Sequence, residues 1–113
     1  MTDLTNRSCT ACRVGAPLAT PEETATWLAQ LPGWEIIEVD GIRRLTRTLE
    51  FADFATALAF TNKVGAAAEQ EGHHPEILTG WGKVTVTWWT HKIHGLHVND
   101  FIMAAKTDAL LDA

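Results

Sequence analysis

Residues 71–76 read Glu-Gly-His-His-Pro-Glu, and His73 and His74 are two of only five histidines in 113 residues. Imidazole is the side chain whose ordinary titration lies nearest neutrality, so adjacent rings can donate and accept protons in a reaction at neutral pH. Glu69 stands four residues before His73. While a helix continues, that spacing puts carboxylate and ring on one face, where a hydrogen bond would fix the tautomer of His73. His74 precedes Pro75, which drives it to extended backbone, so the two rings are expected to point differently. His91 and Asp100 follow further along. Three imidazoles could also hold zinc. No His-x-x-x-His spacing on a helix accompanies them, so proton transfer is the expectation and a metal ion is not. His94 and His97 read as loop residues.

The elements that must position these groups are legible from periodicity and stop signals. Thr20-Pro21-Glu22-Glu23 predicts a helix start, with Thr20 as cap, Pro21 in the first turn and Glu23 completing a capping box. Trp27, Leu28 and Leu31 would share its inner face, and Pro32-Gly33 ends it. Residues 34–39 and 42–51 read as two strands joined by an Asp40-Gly41 turn, a pair suited to positive φ. Leu45, Leu49 and Phe51 alternate on one face with Arg47 among them, as a snorkelling residue or beside a cleft. From about residue 52 to 71 the period becomes helical. The expected stripe is Phe54, Leu58, Thr61, Ala68 and their neighbours, with Val64 and Gly65 in between, Asp53 at the start and Gly72 and Pro75 as stops. Residues 76–91 read as a second hairpin turning at Gly80-Trp81-Gly82. Val84, Val86 and Trp88 would face the core, and Thr85, Thr87, Trp89 and His91 the other side. Residues 99–113 read as a final helix, buried along Phe101, Ile102, Ala105, Ala109 and Leu110.

The order α-β-β-α-β-β-α predicts an α+β fold, a four-stranded antiparallel sheet covered by helices in a two-layer sandwich. Residues 1–19 read as a polar, loosely ordered leader and residues 20–113 as the single domain. In the second hairpin the end of the last strand returns to the start of its partner near Glu76. Topology alone therefore predicts that His91 converges on His73 and His74.

Bulk properties narrow the partners. The formal net charge of −5 argues against nucleic acid, whose phosphates need a basic face. No apolar run approaches the ~20 residues of a membrane-spanning helix, and the first residues lack the apolar region of a signal peptide. A cytoplasmic location is expected. Cys9 and Cys12 form a lone Cys-x-x-Cys without a second pair to complete a zinc site.

The run from Glu69 through Gly72-His73-His74-Pro75, then Trp81, Thr90-His91, Gly95-Leu96 and Asp100, resembles the pterin-4a-carbinolamine dehydratase family, as do Leu31-Pro32-Gly33-Trp34 and the Asp53-Phe54 helix start. The resemblance spans about residues 20–112. It implies the same α+β sandwich and a hydro-lyase that dehydrates 4a-hydroxytetrahydrobiopterin to quinonoid dihydropterin. That step recycles the pterin of aromatic amino acid hydroxylases and uses no metal or organic cofactor. It implies His73, His74 and His91 as catalytic residues, with Glu69, Asp100 and Trp81 binding or orienting. On this reading His73 and His91 form the acid–base pair, His74 binds the ring, Glu69 orients His73, and Asp100 caps the last helix and orients His91. His97 stands where the family often has a Ser or Thr cap, so Asn99 or Asp100 is expected to cap instead. The resemblance also implies a homodimer or homotetramer, with the last helix and the Thr85/Thr87/Trp89 face as candidate surfaces. Two alternatives follow from the same likeness: a dehydratase-like pterin protein in another pathway, such as molybdopterin metabolism, or a protein-binding dimerisation cofactor of a transcription factor.

Overall fold

Trp88 and Leu45 sit opposite each other on neighbouring strands, both wholly buried, and mark the centre of the core. The computed structural model describes residues 18–112; residues 1–17, with Cys9, Cys12 and most of the expected leader, lie outside them. The described elements are helix α1 (Pro21–Leu28), strands β1 (Glu35–Val39) and β2 (Ile42–Glu50), helix α2 (Phe54–Glu71), strands β3 (Glu76–Gly80) and β4 (Lys83–Trp88), and helix α3 (Val98–Ala109). Short 3₁₀ turns cover His91–Ile93 and Leu110–Asp112. The strands form one antiparallel sheet in the order β1-β2-β4-β3. The fold class and element order are those expected from the sequence.

Local chemistry explains the boundaries. Thr20 accepts from the Glu23 backbone N–H while Glu23 accepts from that of Thr20, so α1 opens with the predicted capping box. Asp40 and Gly41 both take positive φ, 54° and 76°, closing β1 onto β2. Asp53 caps α2 by accepting from the Thr56 backbone N–H. Gly72 ends α2 in the left-handed region at φ 67°.

One face of the sheet carries Leu45, Leu49, Val84, Val86 and Trp88, all buried beneath the helices. Alternation along the strands fixes this, because paired residues share a face. Trp88 donates from its indole to the Thr107 hydroxyl on α3, and Trp27 of α1 packs on Phe101 of α3 at 5.3 Å between ring centres. Arg47 pairs with Asp108 at 2.7 Å, and the Trp34 indole donates to the same carboxylate. The opposite face carries a row of threonines. There Thr46 pairs with Thr87 and Thr48 with Thr85, hydroxyl to hydroxyl across β2 and β4.

Three expectations change. The buried stripe of α2 is Ala57, Phe60, Val64 and Ala68, while Phe54 and Leu58 are exposed. The apolar residues of α2 cover more than one face, and only docking on the sheet selects which face is buried. Helix α3 is buried over most of Asn99–Ala105, not along a narrow stripe, and Ala109 is exposed. Strand β4 ends at Trp88, so His91 belongs to the following turn.

Adding a Cβ at Gly72 would meet no atom within 4 Å, so only backbone conformation opposes a side chain there. Gly72→Ala should cost about 1 kcal/mol, and Gly72→Asn less, in urea denaturation at constant m-value.

Candidate active site

Asp100 lies in the first turn of α3, wholly buried, and three segments of the chain bring donors to its carboxylate. Its Oδ1 is 2.7 Å from His73 Nε2. Its Oδ2 accepts from the Thr90 hydroxyl at 2.8 Å and from the His97 backbone N–H at 2.9 Å. An ionised carboxylate can only accept, so facing one His73 donates from Nε2. The His73 ring lies parallel to the Trp88 indole, 5.8 Å between centres and 6° between planes. Packing against Trp88 and the bond to Asp100 together hold the His73 ring in place.

His74 points the other way. Its Nε2 binds Glu69 Oε2 on the surface of α2. The sequence expectation gave Glu69 to His73, and the structure corrects it. Gly72 takes the chain out of the helical path before His73, so the i,i+4 neighbour relation fails. His73 turns inward to Asp100, and His74 folds back over the last turn of α2 to reach Glu69.

Thr90 and Gly95 pair through their backbones and close the loop that holds His91. The His91 ring is exposed and packs on Trp89 at 4.4 Å between centres. The guanidinium of Arg44 lies 4.0 Å from the centre of a Trp89 ring. Trp89 is buried within the chain by these neighbours, which removes it from the surface assigned to it as a subunit contact.

The three histidines do converge. A cavity of about 310 Å³ is lined by Gly72, His73, His74, Thr90, His91 and Lys92. Asp100 supports this cavity through His73 and Thr90, not through His91 as expected. Trp81 is not part of it. Trp81 sits at the tip of the β3–β4 hairpin, 74% exposed. The tip is one strand length from the histidines, about 15 Å at the usual rise per residue.

His97 also departs from expectation. It is buried and serves as the N-cap of α3: its Nδ1 accepts from the Asn99 backbone N–H at 3.2 Å, and Asp100 completes the capping box. Burial holds its imidazole below the ordinary value of 6.5; Asp100 opposes this, His73 reinforces it and Glu23 opposes it. His94 remains a loop residue, at φ 52°. Sequence reasoning missed Lys92 and the structural role of Thr90. The only signal for either was adjacency to His91.

Comparison with known proteins shows which family the sequence and fold resemble. Residues 17–110 match the family model described as Pterin 4 alpha carbinolamine dehydratase. A protein of Syntrophotalea carbinolica, provisionally named pterin-4-alpha-carbinolamine dehydratase, is 63% identical over 99% of this chain and 100% of its own. One of Nitrosococcus oceani with the same provisional name is 60% identical over 98% of both chains. Among solved structures, a transcriptional coactivator/pterin dehydratase from Brucella melitensis superposes with a TM-score of 0.75 at 36% identity, covering 83% of this chain and 98% of that one. A pterin dehydratase-like protein identified as a RuBisCO assembly factor in the alpha-carboxysome superposes with a TM-score of 0.59 at 26% identity, covering 69% and 88%.

Thr90→Val keeps the shape of the side chain and removes one donor from the buried carboxylate. The loss should be about 1–3 kcal/mol of unfolding free energy, read from chemical denaturation.

Proposed function

The chain belongs to the Pterin 4 alpha carbinolamine dehydratase family, and on that premise we propose that the histidine cavity dehydrates 4a-hydroxytetrahydropterin to quinonoid dihydropterin and water. The observation that carries this reading is the convergence of His73, His74 and His91, from three different backbone settings, on one cavity. The reaction needs two proton transfers. The C4a–O bond breaks as the hydroxyl takes a proton and leaves as water. The N5 proton passes to a base, and the N5–C4a double bond forms. Every atom is accounted for by substrate, two side chains and one water.

His73 suits the base. Asp100 at 2.7 Å stabilises the imidazolium that forms when the ring accepts a proton, the arrangement by which a buried carboxylate supports a catalytic histidine elsewhere. His91 suits the acid, since its exposed ring can reload from solvent after each turnover. His74, held by Glu69 at the rim, orients the pterin. The net change consumes no cofactor. Recycling the pterin of an aromatic amino acid hydroxylase is the physiological role this chemistry fits, and a homodimer or homotetramer is the expected assembly. Candidate surfaces for assembly are the β1 and β3 edges, the last helix and the sheet face that carries Thr48 and Thr85.

A second reading is favoured by one observation, the exposed Leu78 and Trp81 near the tip of the β3–β4 hairpin. Of the similar solved structures, one is a transcriptional coactivator/pterin dehydratase and another a pterin dehydratase-like RuBisCO assembly factor. On that reading the hairpin tip contacts a protein and the cavity is secondary.

The experiment is a dehydratase assay on freshly generated carbinolamine. His73→Ala and His91→Ala should each lower kcat by roughly 10²- to 10⁴-fold. His74→Ala should raise KM more than it lowers kcat. Full activity in both of the first two variants would remove the assignment, and loss of function on Trp81→Ala alone would favour the second reading.

A further inference from the structure

His97 caps α3 with a group that can titrate, although the job asks only for an acceptor. Its ring is 7% exposed, yet it lines a cavity of about 210 Å³ between the start of α1 and the start of α3, bordered by Thr20, Glu23 and Trp27. A proton can therefore reach it from solvent. Two bonds tie it to the neighbouring machinery. Nδ1 accepts from the Asn99 backbone N–H, and its own backbone N–H donates to Asp100 Oδ2. The same carboxylate holds His73 through Oδ1.

We propose that His97 is a positioning residue for His73: neutral, it caps α3 and seats Asp100, and protonated, it releases the cap and disturbs the Asp100–His73 pair. The charged and titratable groups facing it are Asp100 on α3, His73 from the turn after α2 and Glu23 on α1. A proton on Nδ1 turns an acceptor into a donor aimed at the Asn99 N–H, so the cap bond is lost and two donors oppose each other. The new cation also competes with His73 for the Asp100 carboxylate.

The sign follows from burial. Because burial holds His97 below its ordinary value of 6.5, the unfolded chain binds that proton more readily than the folded one. The stability His97 provides is therefore complete above the ordinary value. It is lost as pH falls through the lowered one. A serine at position 97 would cap without titrating, and an alanine would do neither.

The test has an arm that needs no enzymatic activity. In the full chain labelled with ¹⁵N, the His73 ring nitrogens are followed from pH 8 to pH 5. The wild type should show an inflection in His73 that coincides with the titration of His97, and His97→Ser should lack it. Identical His73 curves in the two proteins would overturn the proposal, as would a wild-type curve with no shared inflection. If His97→Ser failed to fold, the wild-type curve and His97→Asn would decide in its place.

The kinetic arm rests on the dehydratase reading. The ratio of kcat/KM at pH 5.5 to that at pH 8 should rise about fivefold in His97→Ser, the factor expected for one cap interaction. His97→Ala should be impaired at every pH and His97→Ser should rescue it. If the wild type itself lacks activity, the dehydratase reading fails while the nitrogen titration still decides the role of His97.

Discussion

A carboxylate with no exposed surface needs donors enough to replace water, and Asp100 obtains them from three places in the chain. An ion left unpaired in such a place would cost several kcal/mol, so the segments that supply its donors are held to it. The turn after α2 is drawn in through His73, the end of the last strand through Thr90, and the entry to α3 through His97. The cavity is the space these three segments leave between them. Much of what could be called the active-site architecture is therefore the solvation shell of one buried charge.

That constraint also separates the two adjacent histidines. Glycine at position 72 allows a left-handed residue that reverses the path of the chain, and proline at 75 prevents any return to helix. His73 is left against Trp88 and Asp100 in the interior, and His74 against Glu69 at the surface. Neighbours in sequence thus acquire opposite surroundings, one ring in the interior and one at the surface.

The sequence carried the fold well because its signals are local. The capping box at Thr20, the Asp40-Gly41 turn and the alternation of Val84, Val86 and Trp88 each act over a few residues. The convergence of His91 with His73 and His74 followed from hairpin topology alone. What sequence reasoning misassigned was the pairing inside the site. Glu69 was four residues from His73 and five from His74, and the helical rule favoured the first because it assumes the helix continues. Asp100 was assigned to His91 by proximity in the chain, although a buried carboxylate takes the partner that packing brings inward. Trp81 was matched by spacing, and strand length carried it to the far end of the hairpin. His97 was given to a loop because histidine is an uncommon cap, yet Nδ1 accepts as a serine oxygen would. For Asp100 and His97 the deciding information was burial, and for Glu69 and Trp81 it was the path of the backbone; spacing records neither.

The bonds to Asp100 differ from those of the hairpins in how far apart their partners lie in the chain. A hairpin closes over two turn residues, whereas His73 and Asp100 are separated by 27 positions. Closing a loop of that length carries a larger entropic cost than closing a hairpin. The α2–β3–β4 unit can therefore gain its secondary structure well before the cavity acquires its working arrangement. Asp100 is wholly buried and His73 nearly so, so once formed the pair opens only as the core around it opens.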